Sequence, residues 1–143
     1  MVVQNYEFEM DAFNEQNIES LLNNLALNVD NYFIAMTKPS LLNRAIFGTF
    51  SDFGNRYCIV CFSEIEVTLI MLSRLSNKKV TETIKIPRNE ITNVKLSNIL
   101  ISYMLNIKTN DSSIKFQAFK KVAGFTKIKN SIETFKRMFM LGW

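Results

Sequence analysis

The hydrophobic periodicity of the chain changes twice, and these changes limit the folds that it can form. Residues 15–28 repeat apolar side chains at intervals of three and four, the spacing of one face of a helix: Ile18, Leu21, Leu22 and Leu25. From residue 31 to residue 119 the pattern is typical of strands. The helical period then returns, so the sequence predicts a helix, a set of strands and a second helix.

Seven segments between the helices have the β-branched and aromatic composition of strands. They are residues 31–37, 57–62, 65–73, 81–86, 91–96, 100–109 and 113–119. Turn sequences such as "TNDSS" separate several of them, which favours antiparallel pairing. The longer connection of residues 38–55 is expected to hold a short helix or turn at residues 41–46.

The second helix has a continuous apolar stripe, formed by Phe125, Ile128, Ile132, Phe135 and Phe139. Gly142 is placed to end it. Because a small sheet cannot bury its inner face alone, we expect this helix to cover one end of a strongly bent sheet or open barrel. The predicted fold class is α+β, mainly β.

The charge distribution divides the chain into an acidic start and a basic end. Residues 1–30 carry a charge of −6 with no Lys or Arg, and residues 108–143 carry +6, within a net charge of +4. We interpret residues 1–30 as an acidic N-terminal helical extension and residues 31–143 as the main domain. The extension is expected to dock on its own domain, where the same surface is open to a neighbouring copy.

The strand-then-helix order, with the segments "YCIVCFSEIEVTLIML", "IKIPRNEITNVKL" and "ILISYMLNIKTNDSSIKFQAF", resembles a bacterial pleckstrin-homology-like domain over residues 31–140. The resemblance implies a bent antiparallel sheet of about seven strands with a C-terminal helix. It also implies a scaffold that binds proteins or lipid headgroups without catalysis, and it makes self-association a fair expectation. The first helix lies outside the resemblance.

In eukaryotic pleckstrin-homology domains, phosphoinositides contact basic residues on the first two strands and in the loop between them. Lys38 matches a lysine near the end of the first strand, whereas the basic-x-Arg pair of the second strand has no match, because Arg56 is followed by Tyr57 and Cys58. The departure argues against specific inositol-phosphate recognition.

Two groups of residues are candidates for binding. The first lies in and around the loop of residues 38–56, where aromatic and basic side chains suit a protein groove or a membrane surface: Lys38, Arg44, Phe47, Phe50, Phe53 and Arg56. The alternative is that these phenylalanines fold into the core. The second is a basic cluster of Lys120, Lys121, Lys127, Lys129, Lys136 and Arg137. A solvated helix face explains it as well, and nucleic acid is an unlikely partner because the nearby phenylalanines belong to the buried stripe.

The Cys-x-x-Cys spacing of Cys58 and Cys61 does not predict chemistry here. On a strand, residues three apart point to opposite faces with Cα atoms roughly 10 Å apart, beyond disulfide reach. The chain has no third Cys and no His, so no zinc site or other metal site is expected, and no cofactor. Glu64 and Glu66 share a strand face and could act as paired carboxylates, but together with Thr68 they are more simply the solvent side of a strand whose Ile65, Val67 and Leu69 face inward.

Taken together, these features predict a non-catalytic module for protein–protein interaction, self-association included. The alternative is peripheral binding to anionic lipid headgroups. A cytoplasmic location, with contact to the inner membrane face under the alternative, is expected because no signal peptide or transmembrane segment is recognisable.

Overall fold

The computed structural model describes residues 1–37 and 56–140. The turn or short helix predicted at residues 41–46 and the helix end predicted at Gly142 lie outside these ranges.

The described elements follow the predicted order, with one strand added at the start. The strands are β1 (Val2–Glu9), β2 (Tyr32–Thr37), β3 (Tyr57–Phe62), β4 (Glu66–Leu72), β5 (Lys79–Pro87), β6 (Ile91–Ile99), β7 (Ser102–Thr109) and β8 (Ser113–Phe119). The helices are α1 (Glu15–Asn24) and α2 (Ile128–Phe139), and one 3₁₀ turn (Arg88–Glu90) links β5 to β6.

The eight described strands form one open antiparallel sheet in the order β1-β5-β4-β3-β2-β8-β7-β6. The α+β, mainly β class is therefore confirmed, with a C-terminal helix. The predicted number of about seven strands omitted β1, which pairs with β5 from Val2 opposite Lys85 to Glu9 opposite Lys79. Nearly every side chain of β1 is exposed. Residues 2–5 show no apolar alternation, and the alternation of Tyr6 and Phe8 with glutamates is too short for periodicity to identify the strand.

The predicted apolar stripe of α2 packs into the core. Phe135 lies at the centre of an aromatic cluster, with ring centroids 5.4 Å from Phe33, 5.2 Å from Phe62 and 4.8 Å from Phe139. The edge-on contacts to Phe33 and Phe62 and the stacked contact to Phe139 add to the free energy gained from burial. At the C-terminal end of α2, the Arg88 guanidinium donates a hydrogen bond to the carbonyl of Met138 and lies 4.9 Å from the ring centre of Phe139.

The helix α1 begins and ends with recognisable caps. The Asn14 side chain is the N-cap and accepts a hydrogen bond from the Asn17 backbone N–H at 2.9 Å. At the other end, Leu27 N–H donates to Leu22 O at 2.8 Å, and Ala26 takes a left-handed conformation with φ of 57°. This Schellman arrangement ends the helix four residues earlier than the predicted limit of residue 28.

The apolar stripe of α1 is docked on its own domain, as predicted. Ile18, Leu21 and Leu22 are fully buried and belong to the same core as the sheet and α2. Leu25, at the C-cap, is partly buried. The predicted extension, residues 1–30, and the predicted main domain, residues 31–143, therefore both contribute side chains to one core.

The acidic start and the basic end meet beside this docked helix. The Glu15 carboxylate accepts from Thr126 N–H at 3.1 Å and from its hydroxyl at 2.7 Å. Lys127 forms ion pairs with Glu19 and with Asp30, the latter at 3.1 Å. The Thr126 hydrogen bonds lower the pKa of Glu15, and the bonds to Glu19 and Asp30 raise that of Lys127. These groups are largely solvated, so they orient the helix more than they stabilise it.

Strands β3 and β4 are buried on both faces, whereas the sequence predicted that one face of β4 would be exposed to solvent. Thr68 is buried, while Ile65, predicted to face inward, lies in the turn before β4 and is 74% exposed. The reason is the segment after α1. Thr68 pairs with Cys61, whose thiol donates to the carbonyl of Asn28 at 3.4 Å, so this face of the sheet lies under the N-terminal segment.

Candidate functional site

Most of the predicted binding loop lies outside the described residues: Lys38, Arg44, Phe47, Phe50 and Phe53. Its last member, Arg56, is described. The Arg56 side chain is buried rather than presented to solvent, with only 5% of the residue exposed.

The Arg56 guanidinium is held by an interior network. Its Nη2 lies 2.7 Å from a carboxylate oxygen of Glu82 and donates to the Thr81 hydroxyl at 2.5 Å, and its Nε donates to the carbonyl of Leu72 at 3.0 Å. Both side chains of the ion pair are almost fully buried. A buried ion pair of this kind is costly to break from one side, so the arrangement indicates a structural role for Arg56.

The two cysteines are residues of strand β3, as the sequence predicted. Cys58 and Cys61 are both free and buried. Burial raises the pKa of both thiols, that of Cys61 to about 11. Within residues 1–37 and 56–140, no group of three or more His, Cys, Asp or Glu side chains is placed to hold a metal ion.

The Glu64 and Glu66 pair does not form a joint site. Glu64 lies in the exposed turn before β4, whereas Glu66 begins the strand and faces Lys85 at 4.0 Å.

The residues of the predicted basic cluster fall into two spatial groups. Lys127 is engaged with Glu19 and Asp30, and Arg137 donates to the Thr134 hydroxyl at 3.1 Å. The remaining lysines gather around Tyr103 of β7. Lys120 and Lys136 place their ammonium groups 4.7 and 4.6 Å from the centre of its ring.

These lysines border a surface pocket of about 340 Å³, which we call the lysine–tyrosine pocket. It is lined by Tyr103, Lys120, Lys121, Lys129, Ile132 and Glu133. Lys121 and Lys129 are exposed and form no ion pair with any described residue. A hydrogen bond from Lys136 to the Tyr103 hydroxyl, 3.2 Å long, raises the pKa of Lys136 and favours its charged form. The pocket is therefore cationic, with an aromatic and aliphatic floor.

Beside the pocket lies an exposed apolar hairpin end, the hairpin tip, formed by Ile99, Leu100 and Ile101. Their exposed fractions are 45%, 90% and 81%. Ile99 pairs with Ser102, so Leu100 and Ile101 form a two-residue turn. The sequence predicted a strand over residues 100–109, and its first two residues were wrong because the chain turns at Leu100 and Ile101 before β7 begins at Ser102. The turn could not be predicted from the sequence, because its two central positions hold none of the usual turn residues Gly, Asn, Asp and Pro.

A second surface is the outer edge of β1. This strand pairs with β5 on one side, and among the described residues no strand pairs with its other side. Val2 and Val3 are exposed at the regular end of the strand, before the irregularity between Asn5 and Phe8. We call this surface the β1 edge.

No protein-family model matches the chain, and no curated protein matches its sequence. In the part of the chain that the structure describes, none of the helices has the length and hydrophobicity needed to cross a membrane.

Proposed function

We propose that the protein is a non-catalytic binding module that contacts other proteins, copies of itself included. The observation that carries this proposal is the β1 edge. On the side of this eight-residue strand where no strand of the described ranges pairs, the backbone N–H and C=O groups form a template for adding a strand from another chain.

Further features support a binding role over catalysis. The chain has no His, and its two thiols are buried with raised pKa values, which disfavours the reactive thiolate. The run from β2 to α2, seven strands followed by one helix, supports the pleckstrin-homology-like identity that we propose for this scaffold.

Light scattering after size-exclusion chromatography tests the proposal over a range of protein concentrations. We expect the mass of the wild type to rise with concentration, and that of Val2→Lys with Val3→Lys to stay at the monomer value. Lysine on an edge strand opposes pairing, and both valines are exposed, so folding should be unaffected. Leu75→Lys is the control, because Leu75 is also an exposed aliphatic residue but lies in the loop between β4 and β5, away from the edge of β1.

A photo-crosslinking residue at position 3 extends the test to other partners. We expect it to capture protein in cells more efficiently than the same residue at position 75. A wild type that remains monomeric, with equal capture at the two positions, contradicts the proposal.

A further inference from the structure

The hairpin tip exposes more contiguous apolar surface than folding explains. Three consecutive aliphatic side chains project from the end of β6 and β7, with no polar residue between them. Single exposed apolar residues are ordinary on protein surfaces, whereas a contiguous exposed set marks a contact surface.

The backbone of the tip adds a second, independent observation. Leu100 has φ of 47°, a left-handed conformation that costs an ordinary L-residue free energy and that Gly or Asn adopts more easily. The Leu100 side chain is almost fully exposed and gains no packing in return. A strained, solvent-facing leucine is consistent with a side chain whose contact lies outside the molecule.

Two backbone carbonyls at the tip have internal side-chain partners. The Leu100 carbonyl accepts a hydrogen bond from the Lys120 ammonium at 2.7 Å, and the Ile99 carbonyl accepts one from the Ser102 hydroxyl at 3.4 Å. Lys120 also donates to the side chain of Asn98. Because unsatisfied backbone groups are costly in a water-poor layer, this arrangement suits a turn that enters one.

The charge around the tip is strongly positive. Lys120, Lys121, Lys129 and Lys136 surround it and the adjoining pocket, against one carboxylate, Glu133. The pairing of Ser102 with Phe119 brings the chain at Lys120 and Lys121 alongside the tip. Apolar side chains flanked by lysines complement a surface of lipid tails beneath anionic headgroups.

From these observations we infer that the hairpin tip and the lysine–tyrosine pocket form a membrane-contact site for an anionic lipid surface. The tip enters the headgroup layer, and Lys121 and Lys129 contact lipid phosphates. A fluid bilayer accepts a projecting tip without a preformed groove, whereas a protein partner would need a groove of matching shape. The site is formed by residues of β6, β7 and the chain around α2, and the β1 edge lies at the other end of the sheet order, so the two surfaces share no residue and can be varied separately.

Vesicle co-sedimentation with the full chain tests the inference. Phosphatidylcholine vesicles containing phosphatidylglycerol should bind the wild type, and vesicles of phosphatidylcholine alone should bind it far less. Added salt should weaken binding, because the lysine contribution is screened. Leu100→Ser with Ile101→Ser should lower partition at least about tenfold. Lys121→Ala and Lys129→Ala should each lower it by about fivefold.

Matched controls separate this site from a general surface effect. Leu75 is 91% exposed and lies near Arg74 and Lys78, in a loop at the end of the sheet opposite the tip. Leu75→Ser and Lys79→Ala should therefore leave partition unchanged. Val2→Lys with Val3→Lys should also retain vesicle binding, so that failure of the protein-binding proposal and failure of this one are distinguishable.

Three results overturn the inference. The first is a wild type that does not sediment with anionic vesicles. The second is partition that falls with Leu75→Ser and not with the tip variant, which places the contact at the other end of the sheet. The third is a tip that crosslinks to a protein but binds neither vesicle, which makes it a protein surface.

Discussion

The α1 stripe and the hairpin tip contain the same kinds of side chain and have opposite environments. Ile18, Leu21 and Leu22 are fully buried against the domain, whereas Ile99, Leu100 and Ile101 are exposed. The stripe is spread over one helical face, so docking α1 covers all three residues at once. The tip residues are consecutive at a two-residue turn, where no element of the described chain can cover them.

This difference separates two environments for the same kinds of side chain. The buried stripe stabilises the fold, whereas the tip is exposed and, under our inference, contributes only outside the molecule. The two regions differ in exposure and not in hydrophobicity. Mutations in the two regions should therefore differ in their effect on stability.

The largest expected effect contrasts one substitution in the two regions. Leu21→Asp places a carboxylate in the core and should lower the free energy of unfolding by more than about 4 kcal/mol. It should also raise backbone hydrogen exchange throughout α1. Leu100→Asp, at the tip, should change stability by no more than about 0.5 kcal/mol. Urea denaturation of the two variants measures the contrast, and equal midpoints would show that α1 is not docked.

A comparison of two cations gives the next largest effect. Arg56→Ala leaves the Glu82 carboxylate buried and unpaired and should destabilise the protein by about 3–5 kcal/mol. Lys129→Ala removes an exposed charge and should stay within about 0.5 kcal/mol.

Replacing both members of the buried pair is the control for Arg56. Arg56→Met with Glu82→Leu should recover most of the lost stability, because no uncompensated charge remains. An Arg56→Ala variant as stable as the wild type would mean that the guanidinium is not part of the interior, and would return Arg56 to the binding candidates.

The sequence predicted the elements that bury one consistent face. The stripes of α1 and α2 and the strand β8 follow this rule, and the bounds of β8 are the predicted ones. Strand β1 escaped because both of its faces are exposed. Ile65 and Thr68 were assigned to the wrong environments because the sequence does not show which sheet face the N-terminal segment covers.

The candidate site was predicted only in part. The basic cluster was recognised, but Tyr103, which lies between Lys120 and Lys136, was not linked to it, because the contact depends on the packing of α2 beside β7. Arg56 was assigned to a binding loop because charged residues are usually exposed, and its buried partner Glu82 lies 26 residues away in sequence. The hairpin tip was missed because its turn has an unusual composition.

The smallest expected effect uses two residues with the same backbone conformation. Ala26 at the end of α1 and Leu100 at the tip both have positive φ, at 57° and 47°. Glycine relieves a cost of about 1–2 kcal/mol for an L-residue in this region, but loses about 0.5–1 kcal/mol through the greater freedom of the unfolded chain. Ala26→Gly and Leu100→Gly should therefore each stabilise the protein by up to about 1 kcal/mol.

The two glycine variants should differ in binding alone. Ala26→Gly should keep the partition of the wild type onto anionic vesicles, because position 26 lies in the cap of α1. Leu100→Gly should gain stability and lose partition, since it removes an exposed side chain that contributes only outside the molecule. Denaturation midpoints and vesicle partition, measured on the same preparations, decide the point. If Leu100→Gly lowers stability, the leucine packs within the fold and its strained backbone is no sign of an external contact.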